Sequence, residues 1–375
     1  MINVLHLRDT DHVCGPGKTI IETACAASAD FNHTIGLFLL HREETNRYQE
    51  AATRRGVPVV PLRSVHQFDP RIISTIVRAV KEHRIDLIHS HEYKSDLLAW
   101  AVSRLYRIPV MTTIHGWIRP DVKRQVYVKA GQSVLRAFSR VVAVSEQTKS
   151  VILACGVPEH KIAVIHNGIV AENYRREEQA PGFLRKQFGI PDDAPLVGYV
   201  GRLSPEKGQA DLLAAAAQLM PQIPELSIAL VGDGPDRDCL KRRAESLGIA
   251  NRVIFTGHLQ DVRPVFRDID VLALTSHTEG FPNVVLEALC METPVVANDV
   301  GGVREIIEDG VTGVLLPPRS PDDIAQGLAR MLKAPEWARS LALQGKRVVL
   351  ERFTFRARVA KEEALCRDIL ASWNQ

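Results

Sequence analysis

Short apolar runs rich in β-branched residues alternate with amphipathic stretches along all 375 residues of the chain. Alternation of this kind indicates parallel sheets covered by helices on both faces. The predicted strands of the first half are Ile2–Leu7, Thr34–Leu40, Val57–Val60, Leu87–His89, Val110–Ile114 and Val141–Val144. Those of the second half are Leu196–Val200, Leu226–Val231, Val253–Phe255, Val271–Leu274, Pro294–Ala297 and Val314–Leu316. Because a single sheet containing all of these strands would be unusually large, we predict two doubly wound α/β domains.

A polar stretch at 171–193, with helix breakers and no strand pattern, separates the two sets of strands. We therefore predict an N-terminal Rossmann-like domain over 1–170, a linker over 171–193 and a C-terminal Rossmann-like domain over 194–353. A helix over about 354–375 follows the second domain. Ligands of such sheets bind at the carboxyl ends of the strands, so the functional residues are expected in the loops that follow strands.

The composition excludes several classes of protein. With 47 Lys and Arg against 44 Asp and Glu, the net charge of +3 is too small to indicate wrapping of nucleic acid. The 6 Cys include no Cys-x-x-Cys pair, so neither a zinc cage nor a disulfide framework is expected. No uncharged apolar segment reaches the roughly 20 residues that span a bilayer, and no signal-peptide pattern opens the chain. We expect a cytoplasmic protein.

The segment from Thr278 to Leu289 carries the most specific pattern in the second half. It follows a predicted strand, and Asn283 is a suitable cap for the helix that begins there. The free N–H groups and the dipole of such a helix start attract an anion. Glu279 and Glu287 flank this point and can accept hydrogen bonds from hydroxyl groups on either side of it, such as a ribose and a sugar. The alternative is that Glu287 is a solvated helix residue and Glu279 a loop charge.

Two further loops in the second half follow strands. The loop 201–208 combines glycines with Arg202 and Lys207, and a planar guanidinium beside a point charge suits a polyanion. The loop that begins at Gly232 and Gly234 allows close approach of backbone to a ligand. Each loop alone is also compatible with an ordinary surface turn, but together they favour a binding site.

In the first half, Gly15 and Gly17 follow the first strand and open a helix, which indicates backbone close to a ligand. A phosphate-binding P-loop is not favoured, because it would need glycine where His12 stands. Three histidines lie at the ends of two predicted strands: His89 and His91 end one strand, and His115 follows another. A metal site is open on imidazole chemistry, but no Cys or carboxylate completes a ligand set, so we expect hydrogen-bonding histidines, with packing as the alternative for His89, and no metal.

Taken together, these motifs resemble the retaining glycosyltransferases of family 4 over nearly the whole chain. Glu279 and Glu287 match the Glu-x7-Glu motif of that family. The other matching motifs are Gly201-Arg202-Leu203 with Lys207-Gly208, Val231-Gly232-x-Gly234-Pro235, Val142-Ala143-Val144-Ser145-Glu146, Asn167-Gly168-Ile169 and Gly301-Gly302-Val303-x-Glu305. The resemblance implies the GT-B fold, with two domains facing across a cleft and the last helix crossing back to the first domain.

The resemblance also implies roles for individual residues. Arg202 and Lys207 would neutralise the donor diphosphate, Glu287 would bind the ribose, Glu279 would hold the sugar hydroxyls and His115 would contact the transferred sugar. Its implied catalytic set is His115, Arg202, Lys207 and Glu279. Its implied donor-binding set is Gly15, Gly17, Gly201, Gly232, Gly234, His258, Gly280, Phe281, Pro282, Asn283, Val284 and Glu287.

The expected activity is transfer of a hexose or N-acetylhexosamine from a nucleotide-diphosphate sugar, with a UDP-sugar favoured, to a hydroxyl acceptor. No metal or other cofactor is expected, and a front-face mechanism is predicted because no carboxylate is placed as a nucleophile. The acceptor would be a lipid-linked glycan or a small glycoside, in synthesis of polysaccharide, lipopolysaccharide or glycosides. Two alternatives stay open: another double-Rossmann enzyme, such as an epimerase or a phosphorylase, and a non-catalytic protein that binds sugar nucleotides.

A basic segment at 119–140 bears on the partner. It contains six Lys and Arg and one Asp, and residues 1–180 as a whole carry 24 basic and 18 acidic side chains. A basic amphipathic helix can rest on anionic lipid, with roughly 1 kcal/mol gained per Lys or Arg near the surface. Peripheral contact with the inner face of a membrane is one interpretation, and a solvated helix packed on the sheet is the other.

Overall fold

The structure is a computed structural model that describes residues 1–11, 15–40, 45–66, 69–116 and 131–373. The chain forms two compact units. The first comprises Met1–Gly168 together with Phe355–Gln375, and the second comprises Ile169–Thr354. The segment 171–193, which the sequence predicts as a linker, therefore belongs to the second unit.

In the described part of the first unit, seven parallel strands form one sheet in the order β3-β2-β1-β4-β5-β6-β7. The strands are β1 (Ile2–Arg8), β2 (Phe31–Leu40), β3 (Val59–Ser64), β4 (Leu87–Ser90), β5 (Val110–Ile114), β6 (Arg140–Ala143) and β7 (Ile162–Val164). The helices are α1 (Gly15–Ala26), α2 (Arg47–Arg54), α3 (Ile72–Glu82), α4 (Tyr93–Tyr106) and α5 (Glu146–Ala154). The sequence pattern missed β7, because a three-residue edge strand with partly exposed side chains carries little periodicity.

In the second unit, six parallel strands form the sheet in the order β10-β9-β8-β11-β12-β13 among the described residues. The strands are β8 (Leu196–Val200), β9 (Ser227–Val231), β10 (Val253–Gly257), β11 (Val271–Leu274), β12 (Val295–Asn298) and β13 (Val314–Leu316). The helices are α6 (Phe183–Phe188), α7 (Gln209–Leu219), α8 (Arg237–Ser246), α9 (Arg263–Asp268), α10 (Asn283–Cys290), α11 (Val303–Ile306), α12 (Pro321–Lys333) and α13 (Pro335–Arg352). The prediction of two doubly wound α/β domains is confirmed.

The last helix, α14 (Phe355–Trp373), packs in the first unit although it follows the second in sequence. Its residues Cys366 and Ile369 are buried in one cluster with Val4, Leu87 and Met111 of the central strands. The helix also brings charge into the core, because Arg358 and Glu362 form an ion pair of 2.8 Å in which both side chains are almost completely buried. The predicted return of the C-terminal helix to the first domain is confirmed.

Asp268 and Asp270 stabilise the start of the second unit. The two carboxylate oxygens of Asp268 accept hydrogen bonds of 2.6 Å each from the backbone N–H groups of Gly182 and Leu184, at the start of α6. Asp270 accepts one of 2.8 Å from the N–H of Leu196, which begins β8. These carboxylates fix the entry of the chain into the sheet, because each satisfies backbone donors that would otherwise be buried without partners.

Candidate functional site

Four loops of the second unit follow β8, β9, β11 and β12 at the carboxyl edge of the sheet, and they are hydrogen-bonded to one another. The N–H of Gly201 donates to the backbone carbonyl of Val231 at 2.9 Å, and the N–H of Leu203 donates to the backbone carbonyl of Asp233 at 3.0 Å. On the other side of the β8 loop, the backbone N–H of His277 donates to the backbone carbonyl of Glu206 at 2.8 Å. The N–H of Gly302 donates to the carbonyl of Gly280, also at 2.8 Å. The strand topology therefore gathers the loops that the sequence singled out into one structure.

Close packing between these loops explains several glycines. A Cβ on Gly232 would lie 1.9 Å from the carbonyl oxygen of Gly201, and one on Gly234 would lie 2.1 Å from that of Leu203. A Cβ on Gly301 would likewise lie 1.9 Å from the carbonyl oxygen of Glu279. The sequence favoured approach of a ligand as the reason for Gly232 and Gly234. In the structure, the neighbouring loop already leaves no room for a side chain.

Lys207 and Glu279, from two different loops, form an ion pair. The Nζ of Lys207 lies 2.7 Å from Oε1 of Glu279, and the side chains are only 25% and 10% exposed. The same carboxylate oxygen accepts a hydrogen bond of 2.6 Å from the hydroxyl of Ser276. Partial burial strengthens such a charge-assisted contact. The structure thus brings together two of the residues in the predicted catalytic set.

A buried tyrosine supports this pair from within the sheet. The side chain of Tyr199, in β8, is hydrogen-bonded to the side chains of Gln209 and Ser276, and burial raises its pKa well above the usual value. Asn298, at the end of β12, donates from Nδ2 to the carbonyl groups of Thr275 and Ser276 at 2.8 and 3.2 Å. Sequence reasoning missed Tyr199, Ser276 and Asn298. Their common signal was a polar side chain at the carboxyl end of a strand.

Arg202 differs from Lys207 in its surroundings. Its side chain is exposed, and among the described residues its guanidinium forms no ion pair. Its backbone carbonyl accepts a hydrogen bond of 2.7 Å from Nε2 of Gln209, which fixes the loop beneath it. The exposed guanidinium can therefore engage an anion in solution without first breaking a contact.

The helix α10 begins at Asn283, and the capping position belongs to Pro282 and not to Asn283. The side-chain oxygen of Asn283 is buried and has no hydrogen-bond partner among the described residues. Phe281 is buried with its ring 5.3 Å from that of Phe353. Val284 follows, half-buried, in the first turn. The loop that leads into the helix is thus held by apolar packing and by the Gly280 carbonyl contact described above.

Glu287 is buried in α10 and its Oε1 accepts a hydrogen bond of 2.7 Å from the hydroxyl of Tyr174. Burial and the carboxylate together raise the pKa of Tyr174, so the phenol keeps its proton. This contact contradicts the alternative that Glu287 is a solvated helix residue. Tyr174 lies in the segment predicted as a linker, and no sequence pattern marked it.

The remaining residues of the predicted donor-binding set are His258 in the second unit and Gly15 and Gly17 in the first. His258 is exposed after β10, and the preceding Gly257 accepts a hydrogen bond from the Gly232 N–H at 3.0 Å. In the first unit, Gly15 is exposed at the start of α1. Gly17 is buried there, where a Cβ would lie 2.8 Å from the ring of Tyr48. Packing against Tyr48 thus accounts for glycine at position 17.

His115 follows β5, is partly buried and contacts a cluster of buried histidines in the first unit. Its Nε2 is 3.2 Å from Nδ1 of His91, and burial lowers the pKa of both residues well below the usual value. His89 is completely buried, with Nε2 2.7 Å from the Thr113 hydroxyl and Nδ1 3.3 Å from Glu362. His89 is therefore hydrogen-bonded, as the sequence predicts, and also packed.

The same cluster contains the atoms that could hold a metal ion. Nitrogen atoms of His6, His89 and His91 lie within 4.8 Å of one another, and all three side chains are buried. His6 was missed by the sequence because a lone histidine inside a strand has no motif. The predicted basic segment lies mostly outside the described residues, which resume at residue 131. No described helix combines the length and the apolar character that crossing a bilayer requires.

Comparison with known proteins relates both units to enzymes that transfer sugars. The family described as Glycosyltransferase Family 4 matches residues 15–173, and the family described as Glycosyl transferases group 1 matches residues 182–348. A D-inositol 3-phosphate glycosyltransferase of Frankia alni is 30% identical over 322 residues, which cover 77% of this chain and 78% of that protein. A GDP-mannose-dependent alpha-(1-6)-phosphatidylinositol monomannoside mannosyltransferase of Mycolicibacterium smegmatis is 28% identical and covers 88% of this chain and 89% of its own.

Among solved structures, the crystal structure of Anabaena Alr3699/HepE in complex with UDP is similar with a TM-score of 0.84. The two sequences are 25% identical, and the match covers 98% of this chain and 100% of that chain.

Proposed function

This chain belongs to glycosyltransferase family 4 and has its two Rossmann-like domains, and from that premise we propose that it is a retaining enzyme that transfers a hexose or N-acetylhexosamine from a nucleotide-diphosphate sugar to a hydroxyl group. The observation that carries the proposal is the contact of 2.7 Å between Lys207 and Glu279. This contact supports the proposal, because an ammonium group suits phosphate, a carboxylate suits sugar hydroxyls, and the two lie side by side at the carboxyl edge of one sheet.

The donor is assigned to the second unit. Arg202 and Lys207 bind the diphosphate, and the start of α10 adds positive potential from its N–H groups. Glu287, held by Tyr174, accepts hydrogen bonds from the ribose hydroxyls. Glu279 and the backbone from Gly280 to Pro282 hold the sugar. His115 of the first unit is assigned the contact with the transferred sugar.

The proposed reaction is a front-face substitution that needs no enzyme nucleophile. As the bond from the anomeric carbon to the diphosphate breaks, the acceptor oxygen forms its bond to that carbon on the same face. The departing phosphate oxygen takes the proton of the acceptor hydroxyl, so atoms and charge balance and the configuration is retained. Arg202 and Lys207 stabilise the negative charge that develops on the leaving group, which is the largest electrostatic demand of the step.

A UDP-sugar is the proposed donor, because the similar Anabaena protein was crystallised with UDP. The Mycolicibacterium relative, which uses GDP-mannose, makes a guanine nucleotide the competing choice. Thermal-shift titration with UDP-, GDP- and ADP-sugars measures the preference, and slow hydrolysis of the stabilising donor tests for catalysis. Stabilisation by a UDP-sugar with release of UDP supports the proposal. If no nucleotide sugar raises the unfolding temperature, the assignment of the second unit as the donor site fails.

Turnover is proposed to need no metal ion, since two cationic side chains are assigned to the diphosphate. Activity that survives excess EDTA agrees with this assignment. Loss of activity in EDTA, with recovery on addition of magnesium or manganese, contradicts it.

The acceptor is proposed to be a lipid-linked glycan or a small glycoside. The basic segment 119–140 and the positive balance of residues 1–180 favour contact with an anionic surface. Co-sedimentation with anionic and neutral liposomes at low and physiological salt tests this. Binding that needs anionic lipid and weakens in a Lys123→Glu, Arg124→Glu variant supports peripheral attachment, while no binding at low salt indicates a soluble acceptor.

A further inference from the structure

Four imidazoles of the first unit, three of them buried (His6, His33 and His91) and one partly buried (His115), form a continuous series of nitrogen–nitrogen contacts. His115 Nε2 lies 3.2 Å from His91 Nδ1, and His91 Nε2 lies 3.0 Å from His6 Nδ1. His6 Nε2 in turn lies 2.7 Å from His33 Nδ1. The residues come from β1, β2 and the ends of β4 and β5, which are neighbours in the sheet. Every link joins the Nε2 of one ring to the Nδ1 of the next.

The rings of this series are neutral at neutral pH. Burial lowers the pKa of His6, His91 and His115 well below the usual value, and it lowers that of His33 as well. A neutral imidazole has one N–H donor and one acceptor nitrogen. Each contact then needs a donor on one side and an acceptor on the other.

This requirement couples the four rings. If His33 carries its proton on Nε2, its Nδ1 accepts from His6 Nε2, and the same assignment follows for His91 and His115. If His33 carries its proton on Nδ1, all four rings do. Any mixed arrangement leaves at least one contact with two protons or with none, and an unmade hydrogen bond away from water is unfavourable.

We propose that His33, His6 and His91 are positioning residues that set the tautomer and ring orientation of His115. The inference rests on the proposed function, in which His115 contacts the transferred sugar. The Nδ1 of His115 is buried and has no hydrogen-bond partner among the described residues. The tautomer shared by the four linked imidazoles decides whether that atom offers a lone pair or an N–H to a sugar hydroxyl.

Neighbouring groups stand beside the series without being part of it. His89, in contact with His6 and His91, directs its Nε2 to Thr113 at 2.7 Å and its Nδ1 toward Glu362. Glu362 is paired with Arg358, so this buried carboxylate is neutralised on the helix α14. The Thr113–His89 bond therefore provides a matched control: a buried hydrogen bond of the same cluster outside the series.

The test reads the tautomers directly by nitrogen-15 NMR of the full-length protein with labelled histidine. In the wild-type protein, all four rings should carry their proton on the same type of nitrogen. His6→Leu, which does not touch His115, should change the tautomer signal of His115 and lower kcat by about tenfold while the donor KM stays within about twofold. His6→Asn, whose amide can replace Nδ1 toward His91, should recover part of that loss. Thr113→Val should leave the His115 signal and kcat unchanged.

Two different tautomers within the wild-type series would overturn the proposal, even if no variant folds. An unchanged His115 signal in folded His6→Leu would do the same. A metal site would replace the proposed series of histidine hydrogen bonds if the purified protein contained stoichiometric zinc. Removal of that zinc by a chelator would then change the His6 and His91 signals. None of these signals depends on turnover, so failure of the proposed glycosyl transfer is seen separately, in the donor assays.

Discussion

Lys207 and Glu279 stand 72 positions apart in the chain, yet Nζ of one lies 2.7 Å from Oε1 of the other. The contact joins the loop after β8 to the loop after β11, and these strands are neighbours in the sheet. Ser276 binds the same carboxylate oxygen, so the orientation of Glu279 is fixed from two sides. Under the proposed function, a cation and a carboxylate held in this way would meet a diphosphate and a sugar without further ordering.

Removal of either partner of this pair should impair turnover. Lys207→Ala or Glu279→Gln should each lower kcat/KM by about ten- to a hundredfold, the loss of one charge-assisted hydrogen bond. Because the partners act as a unit, the double variant should lose less than the product of the two single effects. Lys346→Ala is the matched control, since Lys346 and Glu292 form an ion pair of 2.8 Å with similar exposure in the same unit. Steady-state kinetics with the preferred donor decides; fully additive losses would contradict coupling.

Arg202→Ala should act mainly on donor affinity, because its exposed guanidinium has no ion pair among the described residues. We expect Kd for the nucleoside diphosphate to rise by about tenfold and its salt dependence to flatten. Arg242→Ala, which removes an exposed arginine from α8, should leave Kd unchanged. Isothermal titration at two salt concentrations provides the measurement. Equal Kd values for both variants would remove Arg202 from the diphosphate site.

Tyr174→Phe should weaken the hold on Glu287. Loss of the 2.7 Å hydrogen bond leaves a buried carboxylate less well oriented, and donor KM should rise about three- to tenfold with a smaller change in kcat. Tyr93→Phe serves as the control, since the Tyr93 hydroxyl is buried without a partner among the described residues and its removal should cost little. A ribose-lacking competitor, inorganic pyrophosphate, should bind both variants equally. Weakened pyrophosphate binding in Tyr174→Phe would point to a general distortion.

Gly301→Ala should destabilise the second unit far more than an ordinary glycine substitution. Its Cβ would lie 1.9 Å from the carbonyl oxygen of Glu279, and the residue has φ of 59°. Gly248 has φ of 71° with nothing within 4 Å of a Cβ, so Gly248→Ala should show only the backbone strain, about 1 kcal/mol. Denaturant unfolding should give a loss for Gly301→Ala of about 3 kcal/mol or more. Equal losses would mean that the loops can separate without cost.

Asp96 should make stability depend on pH. Burial raises the pKa of this carboxyl to about 7, against an ordinary value of 3.8. Between these values the folded protein keeps a proton that the unfolded chain has released, so stability falls as pH rises from about 4 to 7. Asp96→Asn removes this dependence while its amide oxygen can still accept from Ser90 and Thr112.

The free energy of unfolding of Asp96→Asn relative to wild type should therefore improve by roughly 3 kcal/mol between pH 4 and pH 8. Asp192→Asn, at an exposed position, should show no such trend. Parallel pH profiles for Asp96→Asn and the wild type would show that Asp96 ionises normally.

Features formed by residues that lie close together in sequence could be predicted, because their pattern is local. The alternation of strands and helices determined the fold class. The spacing of Glu279 and Glu287 around a helix start, and the glycine loop with Arg202 and Lys207, identified the loops of the second unit. These features need only neighbouring residues and the rule that parallel strands end at the same edge. They did not identify Pro282 as the capping residue, because a capping position depends on backbone angles and not on residue type alone.

Only the tertiary structure could decide which distant side chains meet. Tyr174 reaches Glu287, Ser276 joins Glu279, and α14 inserts Arg358 and Glu362 beneath histidines that lie hundreds of residues earlier. The sequence predicts that α14 returns to the first domain, but not which of its side chains are buried there. A contact of this kind depends on burial and on the strand order of the folded sheet, which carry no signal in any short stretch of sequence. Thus the sequence alone determined the fold class and the loops, while the folded chain determined the partners that fix the charge and orientation of each candidate group.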